Sequence, residues 1–172
     1  NGSTALMVAA TCGHAAIIAA LADAGADLYA STAHNGSTAL HLASSCGNWQ
    51  ATEQLVALDT SKRLLNAPTA HGATALHLAA HAASDAVIRA LLEADADAHA
   101  KDRHRCTPLH YAMRAGDERC VALLLAAGAA SAGGATTAAH KALHAPPAAS
   151  RVPAYRAASA REPTGGGSYG GG

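Results

Sequence analysis

The chain has 172 residues, 50% of them hydrophobic, and its 12 Lys and Arg balance 12 Asp and Glu. This length and apolar content predict one ordinary domain with a buried core. Zero formal net charge gives no overall field that would attract a nucleic acid, and no run of about 18 apolar residues predicts a membrane-spanning helix. Phe is absent and Ala is abundant, which favours short, closely packed helices.

A six-residue pattern that begins with threonine returns along the chain. The threonines are 34, 36 and 33 residues apart, which indicates a repeated unit of about 33 residues. The repeats predicted from this spacing are residues 1–33, 34–69, 70–102 and 103–130. The four copies are Thr4-Ala5-Leu6-Met7-Val8-Ala9, Thr38-Ala39-Leu40-His41-Leu42-Ala43, Thr74-Ala75-Leu76-His77-Leu78-Ala79 and Thr107-Pro108-Leu109-His110-Tyr111-Ala112.

The first repeat carries the signals of two short helices. Thr4 is expected to cap the first one, because its hydroxyl can accept a hydrogen bond from a free N–H of the first turn, and Gly13 is placed to end it. A second apolar pattern with helical spacing starts at Ile17 and ends at Gly25. An antiparallel helix pair is therefore predicted. The residues that follow, 26–35, are expected to form an extended loop or hairpin finger.

The second repeat keeps the opening, with Gly47 at the end of its first helix, but its second helix is less apolar. Asp59 stands where a closing glycine is expected. The connection after Asp59 is also about three residues longer than in the first repeat, an insertion of the kind that repeat proteins accommodate in a loop. Trp49, at the start of the second helix, is expected to cover the junction with neighbouring repeats.

Residues that replace glycine mark the third and fourth repeats. Ala83 and Asp95 stand at two helix ends, and Ala83 is expected to be strained by roughly 1 kcal/mol, because Ala tolerates the left-handed conformation less well than Asp. In the fourth repeat, Arg105 replaces the opening glycine, and Pro108 fits the first helical position. The second helix of this repeat is predicted to end at Gly128-Ala129.

The pattern decays after residue 130. Residues 131–145 are interpreted as a degenerate repeat or capping segment. The Pro- and Gly-rich residues 146–172 cannot bury enough surface to offset the entropy of ordering, so disorder is predicted there.

Together these features resemble the ankyrin-repeat family over residues 1–130: the motif Thr107 to His110, the Gly-x-Thr openings, Gly-Ala-Asp-Leu at 25–28, and the period itself. The resemblance implies an all-α solenoid of stacked helix-turn-helix units with projecting hairpin fingers. It further implies a protein–protein interaction scaffold without chemistry of its own, and hence no enzyme and no cofactor. Met7, where the motif has histidine, and the insertion after Asp59 depart from the family pattern.

Histidine recurs at one motif position, as His41, His77 and His110. Each imidazole is expected to tie neighbouring loops together through hydrogen bonds to the backbone. Metal binding is not expected, because equivalent side chains on stacked repeats lie too far apart to converge on one ion at about 2 Å. The sequence also contains no motif for a catalytic or phosphate-binding site.

Matching to the family motif implies that a concave side is lined by finger residues and by the ends of the first helices. As a set, these residues are richer in His and Arg than in hydrophobic residues, which favours a partner protein with an acidic surface. The third finger and the helix after it hold the densest positive charge. The partner-binding candidates are Thr11, His34, Asn35, Ser37, Ser45, His71, His81, Arg103, His104, Arg105 and Arg114.

Two other functions remain open. The chain could be a regulatory or substrate-recruiting ankyrin segment of a larger enzyme or channel, because ankyrin stacks are often attached to such domains. Nucleic-acid binding by the basic residues after position 130 is not expected, because they are few and scattered. Membrane insertion is not expected either.

Four cysteines occur without a Cys-x-x-Cys pair. Cys12 and Cys46 hold the same position in successive repeats, where stacking should keep them roughly 10 Å apart, beyond the ~7 Å that a disulfide allows. Reduced thiols are therefore predicted, together with an intracellular, cytoplasmic location.

Overall fold

The computed structural model of the chain describes residues 2–133. Within them the backbone forms eight helices: α1 (Ala5–Cys12), α2 (Ala15–Asp23), α3 (Ala39–Ser45), α4 (Trp49–Leu58), α5 (Ala75–His81), α6 (Asp85–Glu93), α7 (Pro108–Ala115) and α8 (Glu118–Gly133). An isolated antiparallel bridge joins Ser31 to Thr38. The predictions for residues 134–145 and for 146–172 lie outside the described residues.

The helices form a stack of four antiparallel pairs. In one layer α1 packs on α3, α3 on α5 and α5 on α7; in the other, α2 packs on α4, α4 on α6 and α6 on α8. Leucines at matching positions, such as Leu6, Leu40 and Leu76, lie in a single core cluster and are at most 2% exposed. The predicted all-α stack of helix pairs is confirmed.

Threonine begins the first helix of every pair, as predicted. Thr4 accepts a hydrogen bond from the Met7 N–H. At Thr38, Thr74 and Thr107 the cap is reciprocal, because Nδ1 of the histidine three residues later also accepts from the threonine N–H, at 3.1–3.2 Å. The motif histidine thus completes a capping box and fixes the start of its helix.

Non-glycine residues adopt the left-handed backbone where the sequence predicted it. Ala83 has φ +52°, Asp95 +72° and Arg105 +61°. The Ala side chain cannot form a hydrogen bond that would offset this conformation, which costs an L-residue about 1–2 kcal/mol. Ala83 is therefore strained, because its Cβ is disfavoured in the left-handed conformation.

The insertion in the second repeat closes differently from the expectation. Asp59 has φ −82° and is 5% exposed, whereas Lys62 takes the left-handed conformation at φ +55°. The Asp59 carboxylate accepts from the Leu64 N–H at 2.6 Å and the Ser61 hydroxyl at 2.9 Å, so it organises the longer loop. Burial opposes ionisation, but these bonds and the Tyr29 hydroxyl outweigh it and lower the pKa of Asp59.

Two other expectations were wrong. The last helix does not end at Gly128: α8 continues to Gly133, because the Ala-rich sequence around that glycine carries no stop signal strong enough to end it. Trp49 does not fully cover a junction, since it is 47% exposed at the first position of α4.

Candidate protein-binding surface

Three fingers connect the pairs, and we define them as residues 26–37, 59–73 and 94–106. The tip of each finger is closed by a backbone hydrogen bond: the Thr32 N–H donates to the Ser37 carbonyl, Thr69 to Ala73, and Asp102 to Cys106, at 2.9–3.0 Å. The second and third fingers are therefore equivalent turns, and the turn of the first finger is one residue longer.

Backbone hydrogen bonds also join neighbouring finger tips. The Ala70 N–H donates to the Asn35 carbonyl at 2.7 Å, and the Arg103 N–H donates to the His71 carbonyl at 3.0 Å. These bonds place the tips in one row. The exposed candidates of this row are His34, His71, Arg103, His104 and Arg105.

Asp102 fixes the third finger to the helix that follows it. Its side chain is 6% exposed; Oδ1 accepts from the N–H groups of His104 and Cys106, and Oδ2 accepts from the Tyr111 hydroxyl at 2.7 Å. Burial and this hydrogen bond raise the pKa of Tyr111 to about 12. Burial opposes ionisation of Asp102, but the Tyr111 hydroxyl and the two N–H groups outweigh it, so the pKa of Asp102 is lowered. A carboxylate and a neutral phenol therefore link finger and helix.

Tyr111 brings two predicted site residues together. The His81 ring meets it edge-on with 6.2 Å between centroids, and the Arg114 guanidinium carbon lies 5.4 Å from its centroid. His81 and Arg114 are both exposed. A cation over an aromatic ring at an exposed site contributes about 0.5–1 kcal/mol, which favours one position of the charge. The ends of α5 and α7 thus continue the surface of the third finger.

Positive charge is concentrated here. Lys101, Arg103, Arg105 and Arg114 are exposed, and none of them forms an ion pair with a residue in the range 2–133. Elsewhere Lys62 is paired with Asp95 at 2.7 Å, and Arg89 lies 3.6 Å from Asp85. We call the residues Lys101, Arg103, His104, Arg105, Tyr111, Arg114 and His81 the finger-three patch.

The remaining candidates lie apart from this patch. Thr11 and Ser45 are exposed at the ends of α1 and α3, where each hydroxyl donates to a backbone carbonyl of its own helix. Asn35 is half-buried, and its Oδ1 accepts from Thr32 Oγ1 and from the Ser37 N–H. The exposure expected of Ser37 was wrong: it is 3% exposed, and both its N–H and its carbonyl bond to Thr32 within the first finger.

The motif histidines confirm the predicted tie in one case. His77 Nε2 lies 3.0 Å from the Cys106 carbonyl of the next finger. His41 is fully buried, but its Nε2 finds no partner with hydrogen-bond geometry; the backbone of Ala67 and Ala73 only partly offsets the lowering of its pKa by burial. Burial likewise lowers the pKa of His77. His110 is exposed, so no described finger receives it.

Sequence reasoning missed the two residues that organise the patch, Asp102 and Tyr111. A signal was present: Tyr111 stands where the other repeats have Val8, Leu42 and Leu78, and a polar group at such a position needs a partner. Met113 was also missed, and it is 64% exposed on α7.

A hollow of about 260 Å³ lies beside the insertion in the second repeat. Val56, Leu65, Ala94 and Asp59 are among its lining residues. Residues 2–133 contain no group of three or more His, Cys, Asp or Glu side chains placed to hold a metal ion. Within the same range, no helix has the length and apolar character needed to cross a membrane.

Comparison with known proteins agrees with this architecture. A family model described as ankyrin repeats (3 copies) matches residues 1–66 and 50–135. The chain is also 43% identical over 58 residues to the E3 ubiquitin-protein ligase KEG of Arabidopsis thaliana. That match covers 34% of the chain and 4% of the relative. Because the family model spans more than half of its length, the chain belongs to the ankyrin-repeat family.

Proposed function

We propose that this chain is a protein–protein interaction scaffold that captures a partner with its finger tips and the ends of its first helices, on the concave side of the stack. Ankyrin repeats bind other proteins and are typically non-catalytic. The observation that carries the proposal is the finger-three patch: it holds four exposed cations that form no ion pair within residues 2–133, and one of them, Arg114, lies over the ring of Tyr111, whose hydroxyl donates to Asp102. The four free cysteines fit a reducing, cytoplasmic location.

The partner we propose presents an acidic groove or segment. Arg guanidinium groups make strong, directed hydrogen bonds to carboxylates, and Arg and Tyr are enriched among the residues that dominate binding energy. Exposed charges also steer association, so the rate of capture should fall as salt rises. Because the base of the patch is already ordered by Asp102, little entropy is lost when a partner binds.

A second candidate function is substrate recruitment within a larger enzyme. The observation that favours it is the 43% identity over 58 residues to a protein named as an E3 ubiquitin-protein ligase. The matched segment is 4% of that protein, so the ligase activity itself is not carried over. In this function the same surface would bind the substrate, and a separate domain would modify it.

The test is capture of partners from a cell extract by the immobilised chain, followed by mass spectrometry. Arg103→Ala with Arg114→Ala should leave circular dichroism unchanged and reduce recovery of the specific partner by at least about tenfold, because two central cations are lost. Lys141→Ala with Arg151→Ala removes the same charge outside the described residues and serves as the control.

Binding of a Glu-rich peptide, measured by fluorescence anisotropy at low and raised salt, gives a defined second readout. The proposal is wrong if the control pair abolishes capture while the finger pair changes neither capture nor peptide binding. Recovery of ubiquitin-system proteins with the chain would favour substrate recruitment over a stand-alone scaffold.

A further inference from the structure

The hollow beside the insertion has an apolar lining that comes from two repeats. Val56 and Ala57 line it from the last turn of α4. Leu65 lines it from the chain after the insertion, and Ala94 from the residue directly after α6. An aliphatic group that enters the hollow is therefore removed from water, which favours its binding. The hollow shares no residue with the finger-three patch.

The volume of the hollow limits what can enter it. Pockets that take a drug-sized ligand measure about 300–1,000 Å³ and enclose most of its surface. The hollow, at about 260 Å³, lies below this range. It is therefore suited to one aliphatic residue and not to a nucleotide or another large cofactor.

Lys62 supplies the charge that faces the hollow. Asp59, the other ionisable residue of the lining, is 5% exposed. Its carboxylate already accepts from the Leu64 N–H and from the hydroxyls of Ser61 and Tyr29. Asp59 thus holds the wall of the hollow together, and Lys62 is left to bind an occupant. The occupant should therefore carry a negative charge beside its apolar part.

Lys62 is held by a carboxylate that an occupant can replace. Its Nζ lies 2.7 Å from Oδ2 of Asp95, but the two side chains are 61% and 80% exposed. An ion pair at this exposure contributes little to stability, so exchanging one carboxylate for another on Lys62 costs little. Thr60 is an exposed part of the lining, and its hydroxyl can donate to the second oxygen of an incoming carboxylate.

We propose that the hollow binds the carboxyl-terminal residue of a partner protein whose chain ends in Leu, Ile or Val. The side chain enters between Val56, Leu65 and Ala94, and the terminal carboxylate replaces Asp95 on Lys62. The hollow admits one residue and the cation is part of its lining, so the aliphatic group and the anion must belong to the same residue. A terminal aliphatic residue meets this condition, and terminal carboxylates are a recurring class of protein ligand. This site is separate from the surface of the proposed function.

The experiment titrates the full chain with an acetylated peptide, Gly-Ser-Gly-Ser-Leu, that has a free carboxyl terminus. Amide shifts measured by NMR should change around the hollow, at Ala57, Thr60 and Ala94, and should saturate. Amidation of the terminus, or Ser in place of the terminal Leu, should weaken binding by at least about tenfold, because a charge-assisted bond or the apolar contact is lost.

Two variants test the exchange on Lys62 with opposite signs. Lys62→Asn should weaken binding by at least about tenfold, because the cation is lost. Asp95→Asn should tighten binding, because it removes the competing carboxylate. Asn tolerates the left-handed backbone at both positions, φ +55° and φ +72°, so both variants should keep the native circular dichroism.

Arg63→Ala is the matched control for charge. It removes the neighbouring cation, which lies 4.8 Å from the centroid of the Tyr29 ring and is not part of the lining, and should leave the affinity unchanged. Arg103→Ala with Arg114→Ala should also leave it unchanged, which separates this site from the proposed function.

The proposal is overturned if no amide around the hollow shifts at millimolar peptide, or if the amidated peptide binds equally well. Equal weakening by Arg63→Ala and Lys62→Asn would also overturn it, since general attraction to positive charge would then explain the binding. An amidated peptide with Leu-Asp in its interior provides the last comparison. If it binds as well as the free terminus, the ligand is an internal acidic segment and the proposal is wrong.

Discussion

The bond between Tyr111 and Asp102 should be a main stabiliser of the third finger. It is 2.7 Å long and charge-assisted, and the carboxylate is almost fully buried. A hydrogen bond to a charged group contributes about 1.5–3 kcal/mol, so Tyr111→Phe should lower the free energy of unfolding by about 2 kcal/mol. Asp102→Ala also removes the acceptor of the His104 and Cys106 N–H groups and should cost about 3–4 kcal/mol in total.

The assay is urea unfolding of both variants and of the double variant, with a tyrosinate absorbance titration. The double-mutant cycle should give a coupling energy of about 2 kcal/mol. Comparison with Tyr111→Phe identifies which part of the titration belongs to Tyr111. The pKa of Tyr111 should fall from about 12 towards 10.0 when Asp102 is replaced, because the carboxylate no longer opposes ionisation. A coupling energy near zero, or a Tyr111 that already ionises near 10.0 in the native chain, would refute this reasoning.

Two further predictions concern the stability of the stack. Burial lowers the pKa of His41 and His77 in the folded state, so the unfolded chain, with pKa values near 6.5, binds more protons. The free energy of unfolding should therefore reach its full value above pH 6.5 and fall below it. Urea midpoints measured across this pH range test the prediction. A midpoint that rises on acidification would contradict the assignment. Ala83→Gly should raise the free energy of unfolding by about 1 kcal/mol, because glycine adopts φ +52° without strain. Gly47→Ala, at φ +72°, should lower the free energy of unfolding. A loss of stability in Ala83→Gly would show that no strain is stored at Ala83.

Most of the fold was predictable because its signals are local and repeated. In repeats two to four, a threonine cap, a histidine three residues later and a residue in the left-handed conformation mark the start and the end of one short helix, so its boundaries can be predicted from local sequence. The end of α8 was not predictable in this way, since Gly128 lies in a helix and continues it. The left-handed conformation of Lys62 was not predictable either, because it depends on loop hydrogen bonds to Asp59 that the sequence alone does not specify.

The site was predictable as positions and not as interactions. The motif placed Arg103 and Arg114 on one surface, but the link between them runs through Asp102 and Tyr111, nine residues apart. The expectation for Ser37 was wrong because its position in the motif was taken as exposed, whereas the residue is buried within the first finger. Side-chain contacts across a turn depend on packing that repeat spacing alone does not specify.

The most direct test of the central claim is hydrogen exchange of the chain with and without a partner recovered by capture. The account predicts that the partner slows exchange in the third finger and at the ends of α5 and α7, around Arg103, His81 and Arg114. It also predicts no change in helices α4 and α6 of the other layer. Protection confined to α4 and α6, with the third finger unchanged, would contradict it.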